Sequence, residues 1–429
     1  MASTHRRRPL AVALSALALS LPIAAPPAAA APAEHTGHPG VVGERPVAWT
    51  PHVLDGRVTS IAKVGDTVYV GGSFQRVASP DRTTTYRRSN LFAFEHGTGR
   101  VLDFSPDPDA TVASVVPAGE AGDGVYVGGA FTRMGARPVR GAALVGPDGR
   151  VDRGFDARIT GGSVYRLARH GDDLYAGGSF SSAGGGGERG LARLDARTGD
   201  ADGGFSIAIG RERRGTLRVQ DLALSPDGGR LVIAGTFMEV EGERRPQIAV
   251  VDTGASPARL SPWSTEAYAA ECDYSRMHTY MRQIDFAPDG SYFAVVTAGG
   301  PQIKPGLCKT VARWESTDRP GARPTWTNHT GGDSLYAVEA TGAAVYAGGH
   351  QRWMDNRHGE HDAGPGAVER EGIAAVDPAT GRALAWNPGR SRGHGVEAFL
   401  ATEDGLYVGS DTTRLGERDR ARLGMFPLG

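Results

Sequence analysis

One short phrase recurs seven times along this chain of 429 residues, and it constrains the fold more than any other feature. Its clearest copies are Val68–Phe74, Val125–Phe131 and Leu174–Phe180, each an apolar run that leads into two glycines. Weaker copies follow, centred on Ile233, Phe293, Tyr346 and Tyr407. Successive copies lie about 50 to 60 residues apart, a period typical of propeller blades, and a short apolar run closed by glycine is typical of a β-strand. The repeat therefore predicts an all-β fold.

A second count also reaches seven and predicts how the ring closes. An aromatic residue marks the outer strand of six units: Phe104, Phe155, Phe205, Trp263, Trp326 and Trp386. The seventh is Trp49, which precedes the first unit, whereas the last unit stops after its third strand at Leu423–Phe426. We therefore predict a seven-bladed β-propeller over residues 45–429, in which an N-terminal strand, Val47–Thr50, completes the last blade and removes two open sheet edges.

The four strands of a unit can be read from the first repeat. Val58–Val64 is predicted as the inner strand and Thr67–Phe74 as the second, with a turn at Gly65 and Asp66 between them. Asn90–Glu95 is predicted as the third strand and Val101–Phe104 as the outer one. Connections from second to third strands, and from outer strands to the next unit, then emerge on one side, which we call the loop face.

The first 30 residues are typical of a secretion signal. A basic head at His5–Arg8 precedes an apolar stretch from Leu10 to Ile23 and a small-residue cleavage site at Ala28–Ala30. The apolar stretch is shorter than the roughly 20 residues of a membrane span, so no membrane insertion is expected. Either the Sec or the twin-arginine route fits this head. Residues 31–44 are predicted to be a disordered leader, and the mature protein to be secreted.

The net charge limits the classes of partner that are expected, and the cysteine content indicates a disulfide bond. A net charge of −1 gives no broad basic field for nucleic acid, and we expect an extracellular monomer without a cofactor. Cys272 and Cys308 are the two cysteines, and in an exported chain they are expected to form a disulfide bond. Both fall in connections of the loop face, so the topology permits the bond.

The loop face also carries the residues that depart from the repeat. In the sixth unit the usual small residue and phenylalanine are replaced, so that Gly348-Gly349 is followed by His350, Gln351, Arg352 and Trp353. Such departures are where function is often found, and aromatic and arginine side chains supply much of the energy of binding. We therefore predict a pocket near units five to seven, with ligand-binding residues His350, Gln351, Arg352, Trp353 and His394. The loop His358–Asp362 has no helix to fix its histidines, so no metal is predicted.

Several segments resemble those of secreted actinobacterial β-propeller proteins with delta-60-type repeats. The resemblance covers essentially the whole mature chain. It is carried by the Tyr-Val-Gly-Gly-Ser-Phe strands and by Gly190–Asp195, Phe286–Phe293, Gly349–Trp353, Ala363–Val368 and Gly405–Asp411. It implies the fold and export, and it brings no activity or catalytic residues to transfer.

Two functions from different classes remain open. The favoured one is a non-catalytic extracellular module that binds a carbohydrate, peptide or protein partner through the loop face. The alternative is a metal-dependent lyase or hydrolase resembling the streptogramin-lyase type of propeller, with a histidine base. Convergence of His350, His394 and an acidic partner such as Glu397 on one point would favour the enzyme. An open groove lined by Trp353 would favour binding.

Overall fold

A computed structural model describes residues 1–2, 36–119, 122–186, 188–270, 272, 277–299 and 306–429. Within these residues all regular structure is β-strand, which confirms the predicted all-β class. No helix occurs among them, and so none that could cross a bilayer. The predicted signal sequence lies outside the described residues, apart from Met1 and Ala2.

The described strands form seven principal antiparallel sheets, one for each copy of the repeat. Their first strands are Arg57–Val64, Val112–Pro117, Val164–His170, Val219–Leu224, Met281–Phe286, Leu335–Ala340 and Val396–Thr402. Their second strands are Thr67–Ser73, Val125–Gly129, Asp173–Gly178, Arg230–Gly235, Tyr292–Thr297, Val345–Gly349 and Gly405–Ser410. Their third strands are Leu91–Glu95, Ala142–Val145, Leu191–Asp195, Ile248–Asp252, Thr310–Glu315, Ile373–Val376 and Leu423–Pro427.

Fourth strands are short or reduced to a single bridge. Sheets four and five have the fourth strands Arg259–Leu260 and Trp326–His329, whereas the predicted outer strand of sheet one is only a bridge between Val101 and Phe94. Similar bridges occur at Val151, Ala201 and Ala383. Short strands outside the principal sheets are His52–Val53, Arg76–Ala78, Thr85–Arg87, Arg133–Met134, Arg137–Pro138, Ile209–Glu212, Phe237–Val240, Glu243–Arg244, Trp353–Met354, Val368–Glu369, Arg414–Leu415 and Arg418–Asp419.

The first strands surround a central channel. Each contacts the first strand of the next sheet in sequence order, and that of sheet seven contacts that of sheet one. A cavity of 430 Å³ inside the channel is lined by residues from all seven first strands. Side chains link neighbouring first strands here: Ser60 Oγ accepts from the Val115 amide at 2.9 Å, and Gln283 Oε1 accepts from the Val338 amide at 2.7 Å.

A β-bulge interrupts the pairing of every first strand with its second strand, at the same place in all seven sheets. The register shifts between Val58 and Ser60 in sheet one, and between Met281 and Gln283 in sheet five. The residues skipped by the seven shifts are Thr59, Ala113, Tyr165, Gln220, Arg282, Tyr336 and Glu397. We call them the bulge residues. A bulge breaks the regular alternation of side chains along its strand. The side chain of a bulge residue can therefore point in a direction that the residues before and after it in the strand do not take.

The N-terminal segment runs beside sheet seven. The Val47 amide donates to the Met425 carbonyl at 2.8 Å, just as Leu102 donates to Ala93 within sheet one. The Trp49 ring packs edge-on against the Tyr407 ring, with ring centroids 6.3 Å apart. Phe104 packs in the same way against Tyr69 in sheet one, with centroids 5.1 Å apart. The segment thus lies beside the third strand of sheet seven, although residues 47–50, predicted as a strand, form no regular strand.

Residues 36–44, part of the segment predicted to be disordered, also contact the sheets. The His38 amide donates to the Thr341 carbonyl at 2.9 Å, and the Val42 amide donates to the Tyr346 hydroxyl at 3.0 Å. The Gly43 amide donates to the Pro427 carbonyl at 2.8 Å. His38 and Val42 are buried. This part of the leader is therefore held against sheets six and seven by specific hydrogen bonds.

Asp221, in the first strand of sheet four, is buried beside the channel. Its Oδ2 accepts from the Ile284 amide at 2.7 Å, and its Oδ1 lies 3.4 Å from Nε of Arg166. Burial raises the pKa of this carboxyl from 3.8 to about 7, although the Arg166 charge and the hydrogen bond act in the opposite direction. Asp221 therefore binds a proton in the folded chain at pH values where the unfolded chain has released it.

We expect this carboxyl to make the protein less stable as the pH rises. Between pH 3.8 and about 7 the folded chain holds one proton more at Asp221, so the free energy of unfolding falls by up to about 1.4 kcal/mol per pH unit. Asp221→Asn cannot titrate and should gain stability relative to the wild type over that range. Urea unfolding of both proteins between pH 5 and about 8 measures the difference. A constant difference across the range would contradict the prediction.

Candidate functional site

A second cavity, of 360 Å³, lies in the loop face where the channel opens beside sheets five to seven. Its walls are Met277, Arg282, Ala298, Ser334, Tyr336, His394 and Glu397. We call it the mouth cavity. Three of these seven, Arg282, Tyr336 and Glu397, are the bulge residues of sheets five, six and seven. The bulges of the first strands thus place polar side chains in the cavity wall.

Glu397 and His394 form a hydrogen-bonded pair on one wall. His394 Nδ1 lies 2.9 Å from Glu397 Oε1, and the same oxygen lies 3.2 Å from Nη1 of Arg57. Glu397 is largely shielded, with its side chain 14% exposed, whereas that of His394 is 48% exposed. The charge of Glu397 is therefore compensated from within the protein, by the guanidinium of Arg57.

Aromatic stacking fixes the histidine in place. The His394 ring lies parallel to the Tyr336 ring, with centroids 4.3 Å apart and an interplanar angle of 11°. The His394 and Gly395 amides both donate to the Asp411 carboxylate, at 2.7 and 2.9 Å. Burial raises the pKa of Tyr336, so its hydroxyl is protonated at neutral pH. The wall thus presents a preorganised imidazole and a phenol.

Arg282 provides the opposite charge in this cavity. Its Nη1 donates to the carbonyls of Thr279 and Met281, at 2.9 and 2.7 Å, and its Nη2 lies 3.1 Å from Sδ of Met277. Burial lowers the pKa of Arg282 to about 10, and the nearby charge of Arg218 also lowers it. The guanidinium remains charged at neutral pH.

A disulfide bond holds the loops beside this cavity. Cys272 and Cys308 are bonded, with Cα atoms 5.8 Å apart, which confirms the predicted pair. Both residues are buried, at 2% and 7% exposure. Cys272 lies five residues before Met277, which lines the cavity, and Cys308 lies just before the third strand of sheet five.

The five predicted ligand-binding residues do not share one surface. His394 lines the mouth cavity, and His350 supports its loop, because His350 Nδ1 lies 2.8 Å from the Gly393 carbonyl. Gln351 is 1% exposed, and its amide donates to the Ala347 carbonyl. Arg352 donates from Nε to Asp333 Oδ2 at 2.8 Å, and its guanidinium lies over the Trp353 ring at 4.3 Å.

Sequence reasoning did not single out Arg282 or Tyr336. The signal that could have found them is their place in the repeat, because both are bulge residues. Aligned across the seven sheets, the bulge position holds residues of quite different chemistry, whereas the residue just before it is apolar in every sheet. Among the described residues, no three His, Cys, Asp or Glu side chains come together as a metal would require.

Comparisons with known proteins assign no family. No family model matches the chain, and no curated protein matches it. Among solved structures, it is similar to the computationally designed Ika8 protein, with 12% identity, a TM-score of 0.47 and coverage of 87% of this chain and 97% of that one. It is also similar to the WD40 β-propeller domain of Doa1, with 9% identity, a TM-score of 0.43 and coverage of 88% and 94%. Both similarities are weak, so the architecture and the site are argued from this chain's own contacts.

Proposed function

We propose that the chain is an exported seven-bladed β-propeller that binds an extracellular partner at the mouth cavity. The cyclic contacts of the seven first strands support the propeller, and the Val47 hydrogen bond to Met425 supports closure by the N-terminal strand. The disulfide bond is compatible with export to an oxidising compartment. The ligand-binding role rests on one observation: three bulge residues of different chemistry converge on a single cavity.

The cavity has the composition of a binding site. It combines a cation at Arg282, an anion at Glu397 and the aromatic faces of Tyr336 and His394 in a volume suited to a small group. The His394 ring is already fixed by stacking on Tyr336, and its backbone is held by the hydrogen bonds of the His394 and Gly395 amides to Asp411. Preorganised groups lose little conformational entropy on binding, which favours affinity.

A screen of glycan and peptide arrays with the mature protein tests this function. We expect Tyr336→Ala and His394→Ala to weaken binding of the array ligand by roughly tenfold or more, as truncation of an aromatic anchor does. Trp353→Ala is the matched control, because this ring lies outside the mouth cavity beneath Arg352. Loss of binding in Trp353→Ala, with the two cavity variants unchanged, would move the site to the hairpin of Trp353.

A histidine-based lyase or hydrolase is the second candidate, and the His394–Glu397 pair favours it. A carboxylate that orients an imidazole is the usual arrangement of a general base. His350 does not join this pair, since its Nδ1 faces the Gly393 carbonyl. Incubating each array ligand with the protein and analysing the products by mass spectrometry separates the two functions. Turnover that is lost in Glu397→Gln would establish the enzyme.

A further inference from the structure

The side chain of Arg282 has unused hydrogen-bonding capacity that faces the mouth cavity. Both protons of Nη1 are taken by the Thr279 and Met281 carbonyls. Within the described residues Nε has no hydrogen-bond partner, and Nη2 meets only Met277 Sδ, a weak acceptor. The edge formed by Nε and Nη2 is thus left for a ligand.

This edge is the one that binds carboxylates elsewhere in the same protein. Arg244 donates from Nε and Nη2 to the two oxygens of Glu266, at 2.9 and 2.7 Å. Arg313 does the same to Glu315, at 2.8 and 3.2 Å. A planar guanidinium and a planar carboxylate match in this geometry, and the charge strengthens both hydrogen bonds.

The charge of Arg282 is also unbalanced. In the part of the chain that the structure describes, no carboxylate lies within ion-pair distance of Arg282 or of the neighbouring Arg218. Nε of Arg218 is buried without a hydrogen-bond partner. Glu397 does not balance them, because it is paired with Arg57 at 3.2 Å. Among the described side chains Arg282 therefore lacks a paired counter-charge, and a carboxylate carried by a ligand would supply one.

The remaining walls suit hydroxyl groups rather than a long apolar chain. Glu397 Oε2 and Nε2 of the His394 ring can accept from hydroxyls, since Glu397 Oε1 and His394 Nδ1 are already paired with each other, and Ser334 can both donate and accept. The Tyr336 and His394 rings offer flat surfaces of the kind against which a sugar ring packs. A cavity of 360 Å³ has room for one or two monosaccharide units.

We propose that the mouth cavity binds an acidic carbohydrate, with the carboxylate of a hexuronic acid held by the Nε–Nη2 edge of Arg282 and its hydroxyls facing Glu397 and His394. This inference rests on the proposed function and names its ligand class. Arg218 contributes positive charge without touching the ligand. The sugar ring lies against Tyr336.

The test compares ligands that differ only in charge. Trisaccharides of galacturonate, glucuronate and mannuronate are titrated calorimetrically into the wild-type protein, alongside their methyl esters, which remove the negative charge and keep the sugar. We expect at least one free acid to bind about tenfold or more tightly than its ester, and added salt to weaken the binding. Equal affinity of acid and ester, or no binding of any acid up to about 5 mM, would overturn the proposal.

Variants of Arg282 then assign the contact. Arg282→Gln should lose about tenfold or more in affinity for the acid and none for the ester, while Arg282→Lys, which keeps the charge without the planar edge, should fall between. Circular dichroism melting shows whether each variant is folded. If a variant is not folded, the comparison of acid and ester on the wild-type protein still tests the proposal. If a polyglycerol phosphate binds more tightly than every uronate, the cavity recognises a phosphate rather than a carboxylate. That result would contradict the proposed ligand class.

Failure of this inference differs from failure of the proposed function. If another array ligand binds and Tyr336→Ala abolishes its binding, the mouth cavity is the binding site and only the acidic-sugar assignment is wrong. If a ligand binds with the same affinity to Tyr336→Ala, His394→Ala and Arg282→Gln, the mouth cavity is not the site. Both proposals then fail together.

Discussion

A chain shortened to begin at Pro51 is expected to have a free energy of unfolding at least about 5 kcal/mol lower than that of a chain that begins at Thr36. The truncation removes the Trp49 ring from Phe94 and Tyr407, at a cost of roughly 3 kcal/mol. It also removes the hydrogen bonds of Gly43 and Val47 to the third strand of sheet seven, at about 1 kcal/mol each. Urea unfolding of the two chains, followed by tryptophan fluorescence, measures the difference.

The chain beginning at Thr36 is the matched control, because it lacks the predicted signal sequence and keeps every contact described for the N-terminal segment. Trp49→Ala in that chain should reproduce the aromatic share of the loss without exposing a strand edge. The chain beginning at Pro51 should also aggregate, since the third strand of sheet seven then has an unpaired edge. If both chains unfold at the same urea concentration, the N-terminal strand does not close the fold.

Loss of the disulfide bond should have the next largest effect. Cys272→Ala/Cys308→Ala is expected to lower the free energy of unfolding by about 4 kcal/mol, because the bond closes a loop of 36 residues and restricts the unfolded chain. Replacing each buried sulfur atom by hydrogen adds a small packing loss. Chemical unfolding of the wild type and the double variant checks the value.

Reductant provides the internal control for this prediction. Dithiothreitol should destabilise the wild type to nearly the level of the double variant and leave the double variant unchanged. Ligand affinity should fall in the double variant as well, since the bond braces the loop that carries Met277. A wild type that is insensitive to reductant, with two thiols alkylated in the native protein, would show that the bond does not form in solution.

The strands were predictable from the sequence because the same apolar pattern, closed in most copies by glycine, occurs seven times. In sheet one the first two strands are observed at Arg57–Val64 and Thr67–Ser73, within one residue of their predicted limits. The outer strand was predicted over Val101–Phe104 but is a single bridge between Val101 and Phe94, with the Phe104 ring packed edge-on against Tyr69. The disulfide bond was predictable because both cysteines fall in connections of the loop face and because an exported chain is expected to meet an oxidising compartment.

The site was less predictable, because side-chain direction depends on strand register. Trp353 was predicted to bind ligand on the pocket wall, whereas the structure places the Arg352 guanidinium over its ring, pairs Arg352 with Asp333 and does not include Trp353 in the wall of the mouth cavity. Gln351 lies in the core. Arg282 and Tyr336 sit within ordinary-looking strands, and only a register shift between two strands turns them toward the mouth cavity. A single sequence does not display that shift, and the signal peptide and ligand remain predictions.

The repeated bulge separates what the protein must keep in order to fold from what it can vary. Each bulge is fixed by backbone pairing, with apolar neighbours such as Val396 buried on the adjacent sheet, so the bulge side chain carries little of the packing. The bulge residues of the four sheets that do not line the mouth cavity are Thr59, Ala113, Tyr165 and Gln220. Selection could thus exchange the chemistry around the opening one sheet at a time, each exchange altering what is recognised while the scaffold stays intact.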